Sequence, residues 1–282
     1  MTKLTVYEEF EAFYDKAYSF LMQKEAENNL ALGLLNQIAE SNKYENPLFI
    51  LVENGSELEG VLLMTPPHHL IVSFRNGFED FAETSRQLKE ITEQHSIEIP
   101  GFIGEKNAAK RFAEIWTSGE NSSPVVHMRQ RIYRLDEVND IPMSNGKFVQ
   151  AEDKHKNLIA NWLLGFIEDT PERPIPLEDA KKRASEMLDE NSIYLWEVDG
   201  EPVSMARSAR RTDNGITVNL VYTPKEHRKK GYASSVVTEL SRLLLQDFDF
   251  CTLYTDLDNP TSNKIYMDIG YKPIIDSIMI NV

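Results

Sequence analysis

A basic loop between an apolar stretch and a helix-forming stretch is the part of this sequence best suited to chemistry. Residues 220–235 read LVYTPKEHRKKGYASS. The apolar stretch ends at Thr223, Pro224 interrupts the strand, and cations follow up to Gly231, where a helix begins. A strand–loop–helix junction leaves backbone N–H groups free at the positive end of the helix dipole, where anions bind. The loop therefore predicts a phosphate or pyrophosphate site.

The loop differs from the common nucleotide-binding glycine motifs. The P-loop pattern Gly-x-x-x-x-Gly-Lys-Ser/Thr is absent, and so is the dinucleotide pattern Gly-x-Gly-x-x-Gly. A nucleotide hydrolase is therefore disfavoured.

Cations are concentrated around this loop although the protein is acidic. The chain has 30 Lys and Arg against 45 Asp and Glu, a net charge of -15. Between residues 207 and 230, only Asp213 and Glu226 oppose the cations Arg207, Arg210, Arg211, Lys225, Arg228, Lys229 and Lys230. This basic island predicts a local anionic ligand, the alternative being a solvated charged loop. The overall negative charge disfavours nucleic acid as a partner.

Two linked motifs resemble those of the GNAT superfamily of acyl-CoA-dependent N-acetyltransferases. The segment Arg228-Lys229-Lys230-Gly231-Tyr232-Ala233 resembles the family signature Arg/Gln-x-x-Gly-x-Gly/Ala. Downstream, GNAT proteins have an Asn after the fifth strand, a Tyr on a short helix and a Gly-aromatic pair that opens the next strand. Asn259, Tyr266 and Gly270-Tyr271 occupy those places. The resemblance covers residues 146–282 well and residues 1–135 only in outline.

The resemblance implies acetyl-CoA as the acyl donor. In the family, the fourth and fifth strands splay apart, and the pantetheine arm of the cofactor pairs with the backbone of the fourth strand. The pyrophosphate sits on the N–H groups that follow that strand, and the Asn of the second motif contacts the arm. The cofactor-binding residues implied here are Val221, Tyr222, Thr223, Arg228, Lys229, Lys230, Gly231, Tyr232, Ala233, Ser234, Asn259 and Ser262.

The implied reaction is direct transfer of an acetyl group to a primary amine of a small molecule or peptide. Backbone N–H groups near Tyr222 polarise the thioester carbonyl. Tyr266 protonates the departing thiolate as general acid, because a tyrosine with a pKa of about 10 is protonated at neutral pH. The alternative is a non-catalytic acyl-CoA-binding or sensory protein in which Tyr266 is only structural. Retention of the loop, Asn259 and Tyr266 together favours the enzyme.

The general base stays open at this level. Glu197, Asp256 and Asp258 are candidates, and the alternative for each is a solvated carboxylate at a strand end. Cys251 is the one cysteine, so the chain cannot form an internal disulfide or a cysteine metal cluster, and its place inside a strand predicts a core thiol. No metal is expected.

The amine site is implied by the resemblance as well. In the family the first two helices of the domain and their loop line the acceptor groove, which here corresponds to Trp162, Phe166, Glu168, Asp169 and Glu172. An aromatic and acidic rim of this kind favours a cationic amine.

The first half lacks both motifs. At the place of the phosphate loop, residues 73–82 read SFRNGFEDFA, where Glu79 and Asp80 occupy a helix start and repel a pyrophosphate. The counterpart of the second motif, GFIGEKNAAKRFAEIW, has no Tyr at the general-acid place. Residues 1–135 are therefore interpreted as a degenerate GNAT-like domain that shapes the acceptor site, forms an interface or gives structural support.

Hydrophobic periodicity supplies the elements that position these residues. In the first half we predict helices over Leu4–Met22 and Ala26–Glu40, then a hairpin at Asn54-Gly55. The order strand, helix, strand, helix, strand ends both halves. The fold class predicted is α/β, an α+β mixed sheet: two GNAT-like domains in tandem, each with a mostly antiparallel sheet, splayed central strands and flanking helices.

The domain boundary is placed in the polar segment DEVNDIPMSNGK. This gives a degenerate domain at 1–135, a linker at 136–147 and a catalytic domain at 148–282. No apolar segment is long enough for a membrane span, and an acidic N-terminus without an apolar signal core predicts a cytoplasmic protein. A monomer or homodimer without membrane partners is expected.

Overall fold

The structure of the chain, a computed structural model, describes residues 2–41, 44–119, 123–170 and 173–282. The chain forms two units. Unit 1 comprises Met1–Ile132, Asp256–Asp258 and Ile274–Val282, and unit 2 comprises Tyr133–Thr255 and Asn259–Pro273. This division differs from the sequence-based one chiefly in the final strand, which lies in unit 1. None of the described helices is long and apolar enough to cross a membrane.

The two halves of the chain contain the same ten elements in the same order. The first half consists of β1 (Thr2–Tyr7), α1 (Phe10–Leu21), α2 (Asn29–Glu40), β2 (Leu48–Asn54), β3 (Glu57–Met64), β4 (Leu70–Phe74), α3 (Phe81–His95), β5 (Gly101–Glu105), α4 (Lys106–Trp116) and β6 (Val125–Leu135). The second half consists of β7 (Lys147–Gln150), α5 (Lys156–Glu168), α6 (Leu177–Asp189), β8 (Ile193–Val198), β9 (Glu201–Ala209), β10 (Gly215–Tyr222), α7 (Tyr232–Leu244), β11 (Phe250–Asp256), α8 (Pro260–Ile269) and β12 (Lys272–Asn281). The repeat therefore covers each half completely.

The first element corrects the sequence prediction. We predicted one helix over Leu4–Met22, but Thr2–Tyr7 is a strand that pairs antiparallel with β2, from Thr2 opposite Asn54 to Tyr7 opposite Phe49. Leu4 is buried and Lys3 is exposed, as strand alternation requires. Six residues are too few to separate a strand period from a helix period, so the longer helical pattern that follows was extended over them.

The sheet of unit 1 is packed on both faces. The strand order is β1-β2-β3-β4-β5-β12, with antiparallel pairs except for the parallel pair β4 and β5. Along β2, Phe49 and Leu51 belong to one core with α1 and α2, while Ile50 and Val52 belong to another with α3 and α4. The continuous apolar run of this strand follows from its burial on both faces.

The last strand of the chain completes the sheet of unit 1. Residues 277–281 of β12 pair antiparallel with β5, from Ser277 opposite Glu105 to Asn281 opposite Gly101. Ile278 and Ile280 are buried in the core that contains α3 and α4. In unit 2, Tyr133 and Leu135, from the end of β6, are buried in the core with α7 and α8. Each unit thus contains strand residues from the far end of the other half.

Unit 2 has the predicted splayed strands. Its strand order is β11-β10-β9-β8-β7, and only β10 and β11 are parallel to each other. Their pairing extends from Gly215 opposite Phe250 to Thr217 opposite Thr252 and stops there. The mixed, mostly antiparallel sheets with splayed central strands confirm the predicted fold class.

Replacement of Ile280 by alanine tests the contribution of the last strand to unit 1. Ile280 is almost fully buried, so Ile280→Ala should reduce the free energy of unfolding by about 2–5 kcal/mol. Hydrogen exchange should show that amides of β4 and β5 lose protection before those of β9 and β10. Met279→Ala, at the half-buried neighbouring position, is the control and should cost less. Equal costs for the two variants would contradict this role.

Candidate functional site

The place where β10 and β11 separate is a fork in the sheet of unit 2. The hydroxyls of Thr217 and Thr252 lie 2.9 Å apart at the last paired position. Beyond them, Asn219 on β10 and Tyr254 on β11 lie on the same face as this threonine pair, because each is two residues further along its strand. An extended chain can enter such a gap and pair with the strand backbone.

A bulge turns β10 away from its regular path just beyond the fork. The register with β9 shifts between Asn219 and Tyr222, and Leu220 has a φ of 48°. A non-glycine residue at positive φ is uncommon and is retained where the surrounding structure imposes it. Just after the bulge, Ser204 Oγ on β9 donates to the Tyr222 carbonyl at 3.1 Å and lies 2.8 Å from Thr223 Oγ1, which holds the end of β10.

Tyr222 packs against helix α5 through a glycine. A Cβ at Gly165 would lie 2.3 Å from the Tyr222 hydroxyl oxygen, so the tyrosine fits only because position 165 has no side chain. The Trp162 ring lies 6.3 Å away, centroid to centroid. Burial, with the nearby carboxylate of Asp169, raises the pKa of Tyr222. The sequence did not single out Gly165, which lies unmarked in an apolar helix.

The basic loop provides an uncapped helix start. Lys225–His227 form a 3₁₀ turn, Lys229 has a φ of 63°, and Gly231 precedes helix α7 with a φ of 81°. Gly231 carries no side chain to cap the helix, so no side-chain bond occupies the first N–H groups there. Residues with positive φ ahead of a helix are a backbone geometry typical of anion-binding concavities, and the phosphate site itself stays a prediction.

The cations of the loop fall into two groups. The guanidinium of Arg228 forms an ion pair with Asp169 at the end of α5, donates from Nε to the Thr223 carbonyl at 2.9 Å and lies over the Tyr222 ring. Lys225 Nζ lies 3.9 Å from the same carboxylate. Lys229 and Lys230 are exposed. Asp169 thus partly neutralises the loop, and Lys229 and Lys230 are accessible to an anion.

Asn259 begins helix α8. Its Oδ1 accepts a hydrogen bond from the Ser262 backbone N–H at 3.1 Å, which is an ordinary helix cap. Its backbone carbonyl accepts from the side chain of Asn263, whose Oδ1 in turn accepts from the Tyr133 hydroxyl. The expected contact of Asn259 and Ser262 with a pantetheine arm stays a prediction, and capping is the role that these contacts give Asn259.

Tyr266 is buried on α8 in an apolar setting. Only 8% of it is exposed, and its ring meets that of Tyr271 edge-on at 6.1 Å. Burial raises the pKa of Tyr266 to about 12. Its hydroxyl forms no hydrogen bond within the part of the chain that the structure describes. Tyr271 differs, because its hydroxyl lies 2.9 Å from Ser241 Oγ.

The carboxylates considered as general bases lie on different elements of the chain. Glu197 is on β8, which β9 separates from β10, and its carboxylate lies 4.0 Å from His155 Nε2. Asp256 and Asp258 belong to unit 1, where Asp256 Oδ1 accepts from the Asp258 backbone N–H. The Cys251 thiol is fully buried, and burial raises its pKa to about 12, which fits a core thiol.

The predicted acidic rim is weaker than the sequence suggests. Trp162 is buried, Phe166 is half-buried and Glu168 is exposed. Asp169 is already paired with two cations of the loop, and Glu172 lies outside the described residues. Within the described ranges, His, Cys, Asp and Glu side chains form no group that could hold a metal ion.

The corresponding region of unit 1 is filled with aromatic side chains. Phe74, at the end of β4, stacks on Phe78 at 4.6 Å and meets Phe81 edge-on at 5.2 Å. Phe112 also contacts this cluster. It is the seventh residue of α4, as Tyr266 is of α8, and it has no hydroxyl. In unit 1, phenylalanines therefore surround the end of β4, and a phenylalanine stands at the place that Tyr266 has in α8.

Comparisons with known proteins agree with this geometry. Residues 197–280 match the family model described as FR47-like protein. A GNAT-family acetyltransferase from Colwellia psychrerythraea is similar in structure, with 12% identity over 99% of each chain and a TM-score of 0.59. A tandem GNAT protein from the clavulanic acid biosynthesis pathway has 11% identity over 100% of this chain and 98% of its own, with a TM-score of 0.60. The chain has a tandem GNAT fold.

A third tandem-length match supports the same assignment. A GCN5-related N-acetyltransferase from Sphaerobacter thermophilus has 11% identity over 99% of this chain and 95% of its own, with a TM-score of 0.64. No curated protein sequence matches the chain significantly. The two motifs singled out in the sequence lie in the second half; the first half has the same order of elements without them, and its interpretation as a degenerate domain stays a prediction.

The burial of Tyr266 has a consequence for alkaline stability. Its pKa in the folded protein, about 12, exceeds the ordinary value of 10.0, so its neutral form stabilises the fold fully below pH 10. That contribution is lost as the pH rises from 10 towards 12. We expect the free energy of unfolding to fall over this range and to fall less in Tyr266→Phe, as measured by urea denaturation at a series of pH values. Identical pH dependence in both proteins would contradict the shifted pKa.

Proposed function

We propose that this tandem GNAT protein is an N-acetyltransferase that moves an acetyl group from acetyl-CoA to a primary amine of a small molecule or peptide. One combination of features carries the proposal. Unit 2 has an open strand fork, an uncapped basic helix start and a buried tyrosine whose hydroxyl is free of partners among the described residues. The fold supports acyl transfer in general, and these residues support the donor and acceptor classes.

The donor is proposed to enter along β10. In this arrangement the backbone of Val221, Tyr222 and Thr223 pairs with the amide groups of the pantetheine arm. The pyrophosphate lies against the N–H groups from Arg228 to Ser234, with Gly231 allowing close approach of the backbone. Lys229 and Lys230 are exposed and add charge-assisted contacts.

The chemical step is a single displacement at the thioester. The amine nitrogen attacks the carbonyl carbon, the C–S bond breaks, and the sulfur leaves as a thiolate that takes up a proton. Tyr266 supplies that proton in this proposal, and a pKa of about 12 keeps it protonated throughout the physiological range. The amine nitrogen loses a proton to solvent. The Tyr266 phenolate takes up a proton from solvent, and this restores the tyrosine.

A conservative substitution at Tyr266 tests its role as general acid. Tyr266→Phe should lower kcat by about 100-fold and leave the KM for acetyl-CoA nearly unchanged, because the ring remains and only the proton donor is lost. The measurement is release of coenzyme A with a panel of amines, followed with a thiol reagent. Cys251 is fully buried and should give little background.

Tyr271→Phe is the matched control for this experiment. Tyr271 is also a buried tyrosine and contacts Tyr266, but its hydroxyl is engaged with Ser241. Loss of the Tyr271 hydroxyl should change the free energy of unfolding more than it changes kcat. Full turnover by Tyr266→Phe would remove the tyrosine from the mechanism. Tight acetyl-CoA binding without turnover of any amine would instead support a non-catalytic acyl-CoA-binding protein.

The ion pair of Asp169 with the loop gives a second test. Asp169→Asn releases Arg228 and Lys225, so coenzyme A should bind about two- to fivefold more tightly, and less so at high salt. Isothermal titration of coenzyme A measures this effect. Glu168→Gln is the control, since it makes the same charge change at the exposed neighbouring residue. Equal tightening by both variants would indicate a general charge effect and not release of the loop.

A further inference from the structure

Two buried polar atoms in unit 2 are left without partners. They are Arg210 Nε, a donor without an acceptor, and Asn219 Oδ1, an acceptor without a donor. Buried polar groups in folded proteins are nearly always hydrogen-bonded, so each exception needs an explanation. A bound molecule that offers both an acceptor and a donor would explain the two atoms together.

The two residues lie beside the strand fork. Ala209, the last residue of β9, is paired with Thr217, and Arg210 follows it with a φ of 50°. The Arg210 guanidinium carbon lies 4.9 Å from the centroid of the Tyr254 ring on β11. Asn219 and Tyr254 lie on the face of the threonine pair, one on each strand, immediately beyond the fork. The guanidinium and the Asn219 amide are therefore on the same face.

Among the described residues, none supplies a compensating negative charge to Arg210. Its neighbour Arg207 donates from its guanidinium to Glu190 at 2.7 Å and to Ser192 at 3.1 Å, whereas Arg210 makes no ion pair with any described carboxylate. The ionisable groups that interact electrostatically with Arg210 are Tyr254 and Arg207, and Arg207 is itself a cation. Arginine remains charged even when buried. A half-buried cation whose Nε is buried without a partner calls for an anionic ligand.

We propose that Arg210 and Asn219 form the acceptor subsite, and that the acceptor is a primary amine carrying a carboxylate, as in an amino acid. The planar guanidinium binds the carboxylate, and Asn219 Oδ1 accepts a hydrogen bond from the amine. This inference rests on the proposed function, because it places the amine at the fork where the thioester would lie. It replaces a cationic-amine site at Asp169, whose carboxylate is already paired within the loop.

Bond changes in the step are those of ordinary amide formation. The amine nitrogen forms the new C–N bond as the C–S bond breaks, and the carboxylate takes no part. The nitrogen of the zwitterion gives up two protons in total: one is lost before attack, and the second is lost after it. The thiolate takes up one proton, so one proton is released to solvent in each turnover.

Matched acceptor pairs provide the test. Each amino acid is compared with the amine of the same side chain that lacks the carboxylate, and release of coenzyme A is measured. The wild type should prefer the carboxylate-bearing member. Arg210→Gln should raise the KM for that member by about 30-fold or more, abolish the preference and leave acetyl-CoA binding unchanged. Arg210→Lys, which retains the positive charge without the planar guanidinium, should keep part of the preference.

Arg211→Gln is the matched control, because Arg211 is the adjacent arginine and lies over the Phe248 ring. It should keep the wild-type preference. Equal turnover of both members of each pair, or an unchanged preference in Arg210→Gln, would overturn the proposal.

Thermal stability gives a readout that a merely structural arginine would not give. Removing an unpaired cation should leave the melting temperature of the free protein unchanged or raise it in Arg210→Gln compared with Arg211→Gln. Amino acids should raise the melting temperature of the wild type in the presence of coenzyme A, and should not do so in Arg210→Gln. Marked destabilisation by Arg210→Gln without loss of this ligand effect would show that the arginine is structural.

These readouts separate the two proposals. If acetyl-CoA binds but no amine is acetylated, the proposed function fails. The rise in melting temperature caused by amino acids in the presence of coenzyme A then decides by itself whether the carboxylate subsite exists. If amines are acetylated without regard to a carboxylate, the function stands and the subsite fails.

Discussion

The short parallel pairing of β10 and β11 is the constraint on which the rest of unit 2 depends. Because the pairing stops after Thr217 and Thr252, β10 must satisfy its backbone elsewhere and follow a path of its own. The bulge at Leu220 and the bonds from Ser204 hold that path. They turn Tyr222 into the space above Gly165 and direct the chain into the basic loop. The gap between the strands, the basic loop and the packing of α5 thus all follow from the path that β10 takes after the pairing ends.

The same pairing in unit 1 has a different outcome. There β4 and β5 are also parallel over three residue pairs, yet Phe74 at the end of β4 stacks on Phe78. Four phenylalanines, including Phe81 and Phe112, bury one another where unit 2 keeps an opening. Apolar packing of this kind stabilises a fold and excludes a polar cofactor. One architecture therefore serves stability in unit 1, whereas in unit 2 it leaves an opening where the acetyl-CoA site is proposed.

The cations of the basic island have different partners in the folded protein. Arg207 is bound to Glu190, Arg211 lies over Phe248, and Arg228 is held by Asp169. Each of these cations has a partner close by. Arg210 has only the Tyr254 ring, and it lies at the fork. Seven cations that look alike along the chain thus have different surroundings, and Arg210, whose Nε is buried without a partner, is the most informative of them.

The sequence by itself determined the order of the elements after the first strand, the two motifs and the absence of those motifs from the first half. These are local properties: an apolar period, a proline after a strand, a glycine before a helix. Sequence reasoning extended a helix over Thr2–Tyr7, because six residues are too short to show a period. Only the tertiary structure decided that Asp169 pairs with Arg228, that Gly165 makes room for Tyr222 and that Arg210 lies beside the fork. Those facts join residues far apart in the chain, and their contacts follow from how the sheet twists and packs, which no local pattern records.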